Sequence, residues 1–287
     1  MVSDILTCDV CPHACKLPPG TVGRCRARKH IIEDGDHRIA SVNYGIVTSL
    51  ALDPIEKKPL NRFHPGSYIL SVGSFGCNLN CPFCQNHEIS ASDGSPFMSE
   101  DNRLTPGELV SIAIDTRANG NIGIAFTYNE PLIGYEYVLD TARMAKEAGL
   151  KTVLVTAGCL NPHIADLILP YTDALNIDLK SPDSAVYKDV LGGDLDTVKA
   201  FIKKATSMCH VELTTLIVPG LNDSYEAMDE VLSFITSLDN GADIPLHISR
   251  FFPRFRMQDR PPTDKELILG LAEYAKKKLN YVYPGNI

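Results

Sequence analysis

From about residue 66 onward, short apolar runs rich in β-branched residues alternate with longer amphipathic ones, and this alternation constrains the fold more than any other feature. The runs "YILSVGS" (68–74), "IGIAFT" (122–127), "KTVLVT" (151–156), "ALNIDL" (174–179), "VELTTLIV" (211–218) and "PLHIS" (245–249) read as strands. Segments 105–118, 132–148, 161–170, 194–208, 223–238 and 263–279 repeat apolar residues every three or four positions, the period of a helix with one buried face. Strands joined through helices at this spacing run parallel with right-handed crossovers. Six such units predict an α/β fold, a partial (β/α)6 barrel over residues 67–287.

Barrels of this kind carry their chemistry at the C-terminal ends of the strands. Polar residues should therefore stand where each apolar run stops, and they do. The second run ends in "TYNEP" (Thr127 to Pro131), with Asn129 and Glu130, and the third in Thr156 to Gly158. Asp178 and Lys180 close the fourth, Asn222 and Asp223 follow the fifth, and His247, Ser249 and Arg250 mark the sixth. One polar strand end is ordinary turn chemistry. The whole set predicts a shared site.

Residues 1–66 read differently, as a small cysteine-rich appendage and linker packed on the barrel. Their stretch "DPIEKKPLNRFHPGS" is rich in Pro and polar residues and is expected to be loop or extended chain.

Nine cysteines are many for a reducing compartment, where disulfides rarely persist. Seven form two tight groups: Cys8, Cys11, Cys15 and Cys25, then Cys77, Cys81 and Cys84. Clustering in a chain of this size favours metal or iron-sulfur ligation. Cys159 and Cys209 stand apart and read as small buried apolar residues. The trio is one ligand short of a closed zinc site or of a cubane held by protein alone. His87 could complete a zinc knuckle. The other reading is a [4Fe-4S] cluster with one iron open to a substrate.

The spacing Cys-x3-Cys-x2-Cys, with Phe83 just before the third cysteine, resembles the radical S-adenosylmethionine (SAM) superfamily signature. By that resemblance the open iron chelates SAM, and reductive cleavage of SAM yields a 5'-deoxyadenosyl radical that abstracts hydrogen from a substrate. "TYNEP" stands where the family has a Gly-Gly-Glu-Pro segment. This implies Asn129 and Glu130 as contacts to the SAM ammonium, although Tyr128 and Asn129 replace the two glycines. A helix start capped by Asn129 is the plainer reading of the same residues. "DLK" (178–180), "TTLIVPGLND" (214–223) and "PLHISRFFPRFRM" (245–257) are similar to the pyruvate formate-lyase activating-enzyme group. The similarity implies cofactor contacts at Asp178, Lys180, His247 and Thr156. "CDVCPHACKLPPGTVGRCRAR", with "KKPLNRFHPGS" and "SRFFPRFRM", further resembles the radical SAM member of the AmmeMemoRadiSam group. That group accompanies Memo-like and AMMECR-like proteins, and its members are expected to carry a further cysteine pair after "YVYPGNI".

Cys8, Cys11, Cys15 and Cys25 could complete a tetrathiolate site for zinc or an auxiliary iron-sulfur cluster. Pro18, Pro19, Gly20 and Gly23 supply the turns that bring Cys25 back to the others. Spacing alone does not separate the two metals.

The resemblance implies a hydrogen donor that is a protein or peptide, as for glycyl-radical activases, and a low-potential electron donor such as flavodoxin or ferredoxin. A small-molecule substrate, or a noncatalytic metal-bearing interaction module, are the alternatives. A net charge of −8 without a basic stripe argues against nucleic acid. No apolar run approaches the ~20 residues of a membrane-spanning helix, and the N-terminus lacks a signal-peptide layout, so the cytoplasm is the expected compartment.

Overall fold

The computed structural model describes residues 5–287. Two hairpins come first: β1 (Leu6–Thr7) with β2 (Lys16–Leu17), and β3 (Arg28–Glu33) with β4 (Asp36–Ser41). The main sheet contains β5 (Ser49–Pro54), β6 (Tyr68–Gly73), β7 (Asn121–Phe126), β8 (Lys151–Thr156), β9 (Ala174–Asp178), β10 (His210–Ile217), β11 (Leu246–Arg250) and β12 (Val282–Gly285). Their order in space is their order in sequence, and every pair is parallel except β5 with β6.

All six expected strands are present, and two more extend the sheet. β12 adds a seventh parallel strand. β5 corrects the expected boundary, because residues 49–54 are an antiparallel edge of the barrel sheet and not linker.

The helices are α1 (His87–Ser90), α2 (Pro106–Asp115), α3 (Tyr135–Glu147), α4 (Pro162–Ile168), α5 (Leu195–Thr206), α6 (Tyr225–Thr236) and α7 (Lys265–Ala275). Their starts are set by local chemistry. Thr105 and Glu108 form a capping box on α2, with Pro106 in its first turn. Asp194, Ser224 and Asp264 accept from backbone N–H groups at the starts of α5, α6 and α7. Such caps contribute about 1 kcal/mol each. No helix among the described residues is long and apolar enough to cross a membrane.

Successive strand residues alternate between the helix layer and the barrel interior. Ile69, Ala125, Val153 and Ala174 point inward and pack with Ile55 and Leu60. The loop 55–66 therefore plugs the barrel floor. It is irregular chain, as its composition predicted, but Ile55, Lys58 and Leu60 are buried. Glu212, buried on β10, anchors the plug by accepting from the backbone N–H groups of Asn61 (2.9 Å) and Arg62 (2.7 Å). Asn176 Nδ2 donates to Pro59 O at 2.9 Å beside it.

Candidate active site

At the C-terminal end of the sheet lies a cavity of about 270 Å³. One wall is the loop after β6, which brings in Cys77, Phe83, Cys81 and Cys84. The opposite wall comes from the strand ends, with Asn129, Glu130, Thr156, Asp178 and Lys180. Of the strand-end residues named from sequence, these and Ser249 line the cavity, whereas Asn222, Asp223, His247 and Arg250 do not.

Glu130 is the centre of the strand-end wall. It is only 2 % exposed, yet among the described residues no Lys, Arg or His pairs with it. Its Oε1 accepts from Thr156 Oγ1 (2.7 Å) and Leu132 N (3.2 Å), and its Oε2 from Ala157 N (2.8 Å). Burial pushes its carboxyl up, and these donors pull it partly back. Thr156 thus acts through Glu130. The helical turn 131–134 is capped by Glu130 itself; Asn129 does other work. The Asn129 side chain donates to Gly76 O at 3.0 Å and accepts from Ser74 N at 3.2 Å, stitching the strand end to the cysteine loop.

Tyr128 adopts φ +75°, a left-handed conformation that costs a non-glycine residue about 1–2 kcal/mol. Its ring is held by Asp53, which accepts from the phenol at 2.8 Å and from buried Lys58 at 2.9 Å. A Cβ on Gly73 would meet the Tyr128 ring at 2.8 Å, so the ring needs glycine there.

Asp178 and Lys180 form an ion pair at 2.8 Å. Burial pulls Lys180 down, but the Asp178 carboxylate outweighs it and keeps the ammonium charged. Lys180 is also near the trio: burial pushes Cys81 up to about 11, and the Lys180 charge opposes that rise. Asn222, named as a strand-end residue, braces this turn by donating to Lys180 O at 2.9 Å.

His247 is not part of the cavity wall. It is the second residue of β11 and is buried, with Nε2 2.7 Å from Glu212 Oε2 and its ring stacked on Tyr283. Ser249, two residues on, lines the cavity in its place. Arg250 turns away to donate to Thr263 O. Thr214, which the sequence did not single out, lines the cavity as well. His87 stacks on Phe255 with ring centroids 4.6 Å apart. Cys159 is buried and Cys209 half-buried, both are free, and neither lines the cavity.

Among the described residues, no three His, Cys, Asp or Glu side chains close around a point as the ligands of a single ion do. A cluster of several irons and sulfides holds its thiolates farther apart, so fit rests on room and donor chemistry. Both are present: three free thiols face one cavity, and across it a buried carboxylate without a cationic partner waits for a cation.

A family model for the radical SAM superfamily matches residues 71–235. The chain belongs to that superfamily and is a radical SAM enzyme, whose family cofactors are a [4Fe-4S] cluster and SAM. It is similar over 284 residues, at 37% identity, to an uncharacterized protein of Methanocaldococcus jannaschii, covering 98% of this chain and 81% of that one. It is also similar to the pyruvate formate-lyase-activating enzyme of Clostridium pasteurianum, 27% identical over 214 residues, 71% of this chain and 88% of the relative. Among solved structures, a radical SAM methyltransferase from Sphaerobacter thermophilus superposes with a TM-score of 0.54 at 17% identity. That match covers 77% of this chain and 67% of the other, and it speaks to the fold alone.

Proposed function

We propose that Cys77, Cys81 and Cys84 hold the [4Fe-4S] cluster, that Glu130 receives the ammonium of SAM, and that the hydrogen donor is a protein or peptide. The carrying observation is the cavity with three free thiols on one wall and the unpaired Glu130 carboxylate on the other. When bound, the cluster and SAM supply a 5'-deoxyadenosyl radical. The chain's own residues bind and orient. Thr156 Oγ1 and the backbone N–H groups of Leu132 and Ala157 fix the Glu130 oxygens. Asp178 and Lys180 present a paired charge to the rest of the ligand, and buried Phe83 and Leu79 keep water from the thiol wall.

A polypeptide donor is supported by the relatives named as activating enzymes of pyruvate formate-lyase, itself a protein. The electron donor in this reading is a flavodoxin or ferredoxin, and the grouping of Cys8, Cys11, Cys15 and Cys25 supports a second metal site. Memo-like and AMMECR-like proteins are candidate partners on sequence resemblance alone.

The test is anaerobic reconstitution with iron and sulfide, reduction with dithionite and addition of SAM. Methionine and 5'-deoxyadenosine, with a SAM-shifted EPR signal, are expected. Any one of Cys77→Ala, Cys81→Ala or Cys84→Ala should abolish both. An intact cluster that neither shifts nor cleaves SAM would overturn the assignment. Adding a candidate glycyl-radical polypeptide and seeking a stable organic radical tests the donor class.

A further inference from the structure

The two cysteine groups, far apart in sequence, are neighbours in space. Cys25 O accepts from Cys77 N at 3.2 Å. A Cβ on Gly76 would lie 2.5 Å from that same carbonyl and 3.3 Å from Ala27 Cβ, so residues 25–27 press directly on the start of the trio loop. Arg26, between them, lines a small cavity with Cys77, Cys81 and Cys84. A second link runs through Asn78, which is fully buried. Its amide donates to Cys159 O at 2.7 Å and approaches the Cys11 thiol, while its backbone carbonyl meets His13 Nε2 at 2.8 Å.

The appendage also gathers its own thiols. Cys8, Cys11 and Cys25 are buried, Cys15 is half-buried, and all are free. Cys11 lies in the electrostatic field of Cys8 and Cys25, and Cys25 in that of Cys8 and Cys15. The backbone builds the cluster: Cys8 N donates to Cys15 O at 2.9 Å, and Gly23 lies close against the Cys15 sulfur. Four thiols massed without a disulfide are the donor set of a thiophilic centre.

We propose that Cys8, Cys11, Cys15 and Cys25, which do not close around a single ion, hold an iron-sulfur cluster, and that this centre sets the geometry, and hence the reduction potential, of the barrel cluster through the Cys25 carbonyl to Cys77 N–H contact. The proposal rests on the assignment of the barrel cluster to the trio. Cys25 plays two parts, as a ligand through sulfur and as an acceptor through its carbonyl. Pinning the sulfur pins the carbonyl, which fixes the peptide entering Cys77 and, two residues on, the Leu79 N–H that points at the Cys77 sulfur at 3.4 Å. Hydrogen bonds to ligand sulfurs and the orientation of ligands by their surroundings are principal determinants of cluster potential.

The experiment uses the full chain, reconstituted anaerobically, as wild type, as a Cys8→Ser/Cys15→Ser double variant and as Asn78→Ala. The double variant removes two ligands that do not touch the trio loop; the single variant leaves both sulfur sets in place. Metal content per chain, EPR line shape and the midpoint potential of the barrel cluster are measured. Wild type should carry iron beyond that of the barrel cluster, and zinc in its place would overturn the assignment. The double variant should lose that metal, keep the barrel iron, and shift the reduction equilibrium at least tenfold, about 59 mV for a one-electron couple. Asn78→Ala should keep both clusters and shift the midpoint as well, which preserves the test should the double variant fail to fold. An unchanged midpoint and line shape after loss of the appendage metal would overturn the coupling, and so would a wild type with no metal beyond the barrel cluster. Retention of all iron in a Cys81→Ala/Cys84→Ala variant would instead overturn the barrel assignment, a separate result.

Discussion

Glu212 and His247 face one another inside the barrel floor, Oε2 to Nε2 at 2.7 Å, with both side chains buried. The same carboxylate takes His210 on its other oxygen at 3.0 Å and two backbone N–H groups of the plug. His247 is therefore a floor residue. His247→Ala should lower stability by about 2–4 kcal/mol, because it strips a buried carboxylate of one donor. SAM affinity should change by less than twofold. Urea unfolding and calorimetric titration of the reconstituted protein check the two halves; a tenfold loss of SAM affinity with stability intact would reverse the conclusion.

The floor should also respond to acid. Burial pushes Glu212 up, but His210, His247 and the N–H groups of Arg62 and Asn61 outweigh it and hold the carboxyl at about 2, below its ordinary 4.5. A depressed carboxyl contributes stability that is complete above its unfolded value and is lost as pH falls toward the folded one. Stability should thus drop by on the order of 3 kcal/mol from this group between about pH 5 and pH 2. Glu212→Gln should be less stable at pH 7 and show a flatter acid limb in urea midpoints taken across that range.

Glu130→Gln keeps the size and most acceptor contacts of the side chain while removing its charge. SAM binding should weaken tenfold to a hundredfold, about 1.5–3 kcal/mol, the range for hydrogen bonds to charged groups. Since burial raises the Glu130 carboxyl and a bound cation would lower it, wild-type affinity should fall as pH falls. The Gln variant should lose that slope, and titration calorimetry at several pH values reads both effects.

Gly76 has φ +86° and no room for a methyl group beside the Cys25 carbonyl. Gly76→Ala combines left-handed strain with overpacking and should cost about 2–4 kcal/mol. The defect should centre on the cysteine loop, so iron retained after reconstitution should fall more than helix content measured by circular dichroism.

The alternation of strands and helices was legible because both periods are local, and the three cysteines that line the cavity stood out because their spacing is local too. Edge strands were less so. β12 is four residues long and ends in Pro284 and Gly285, which carry no strand signal. β5 has only a weak alternation of burial, since one side of it has no neighbour in the sheet. The loop 55–66 was read correctly as irregular, but composition cannot reveal that an irregular segment is buried. His247 shows a related limit. Strand-end polarity points to the right segment, yet only the tertiary contacts show that its ring is taken up by Glu212 and Tyr283 while Ser249 lines the cavity. Glu212 went unnoticed because, His210 apart, its partners lie far off in sequence, 35 residues away at His247 and 150 residues away at Arg62.

That last separation bears on how the chain acquires its shape. The plug is synthesised before any of the parallel strands it seals, and its anchor, Glu212, emerges 150 residues later. Closing a loop of that length is entropically unfavourable and slow. The apolar side chains of the plug meet Ile69, Ala125, Val153 and Ala174, all on strands that precede β10, so they can be buried first. Only the polar clamp on Asn61 and Arg62 must wait for Glu212, and the floor is locked after it has been filled.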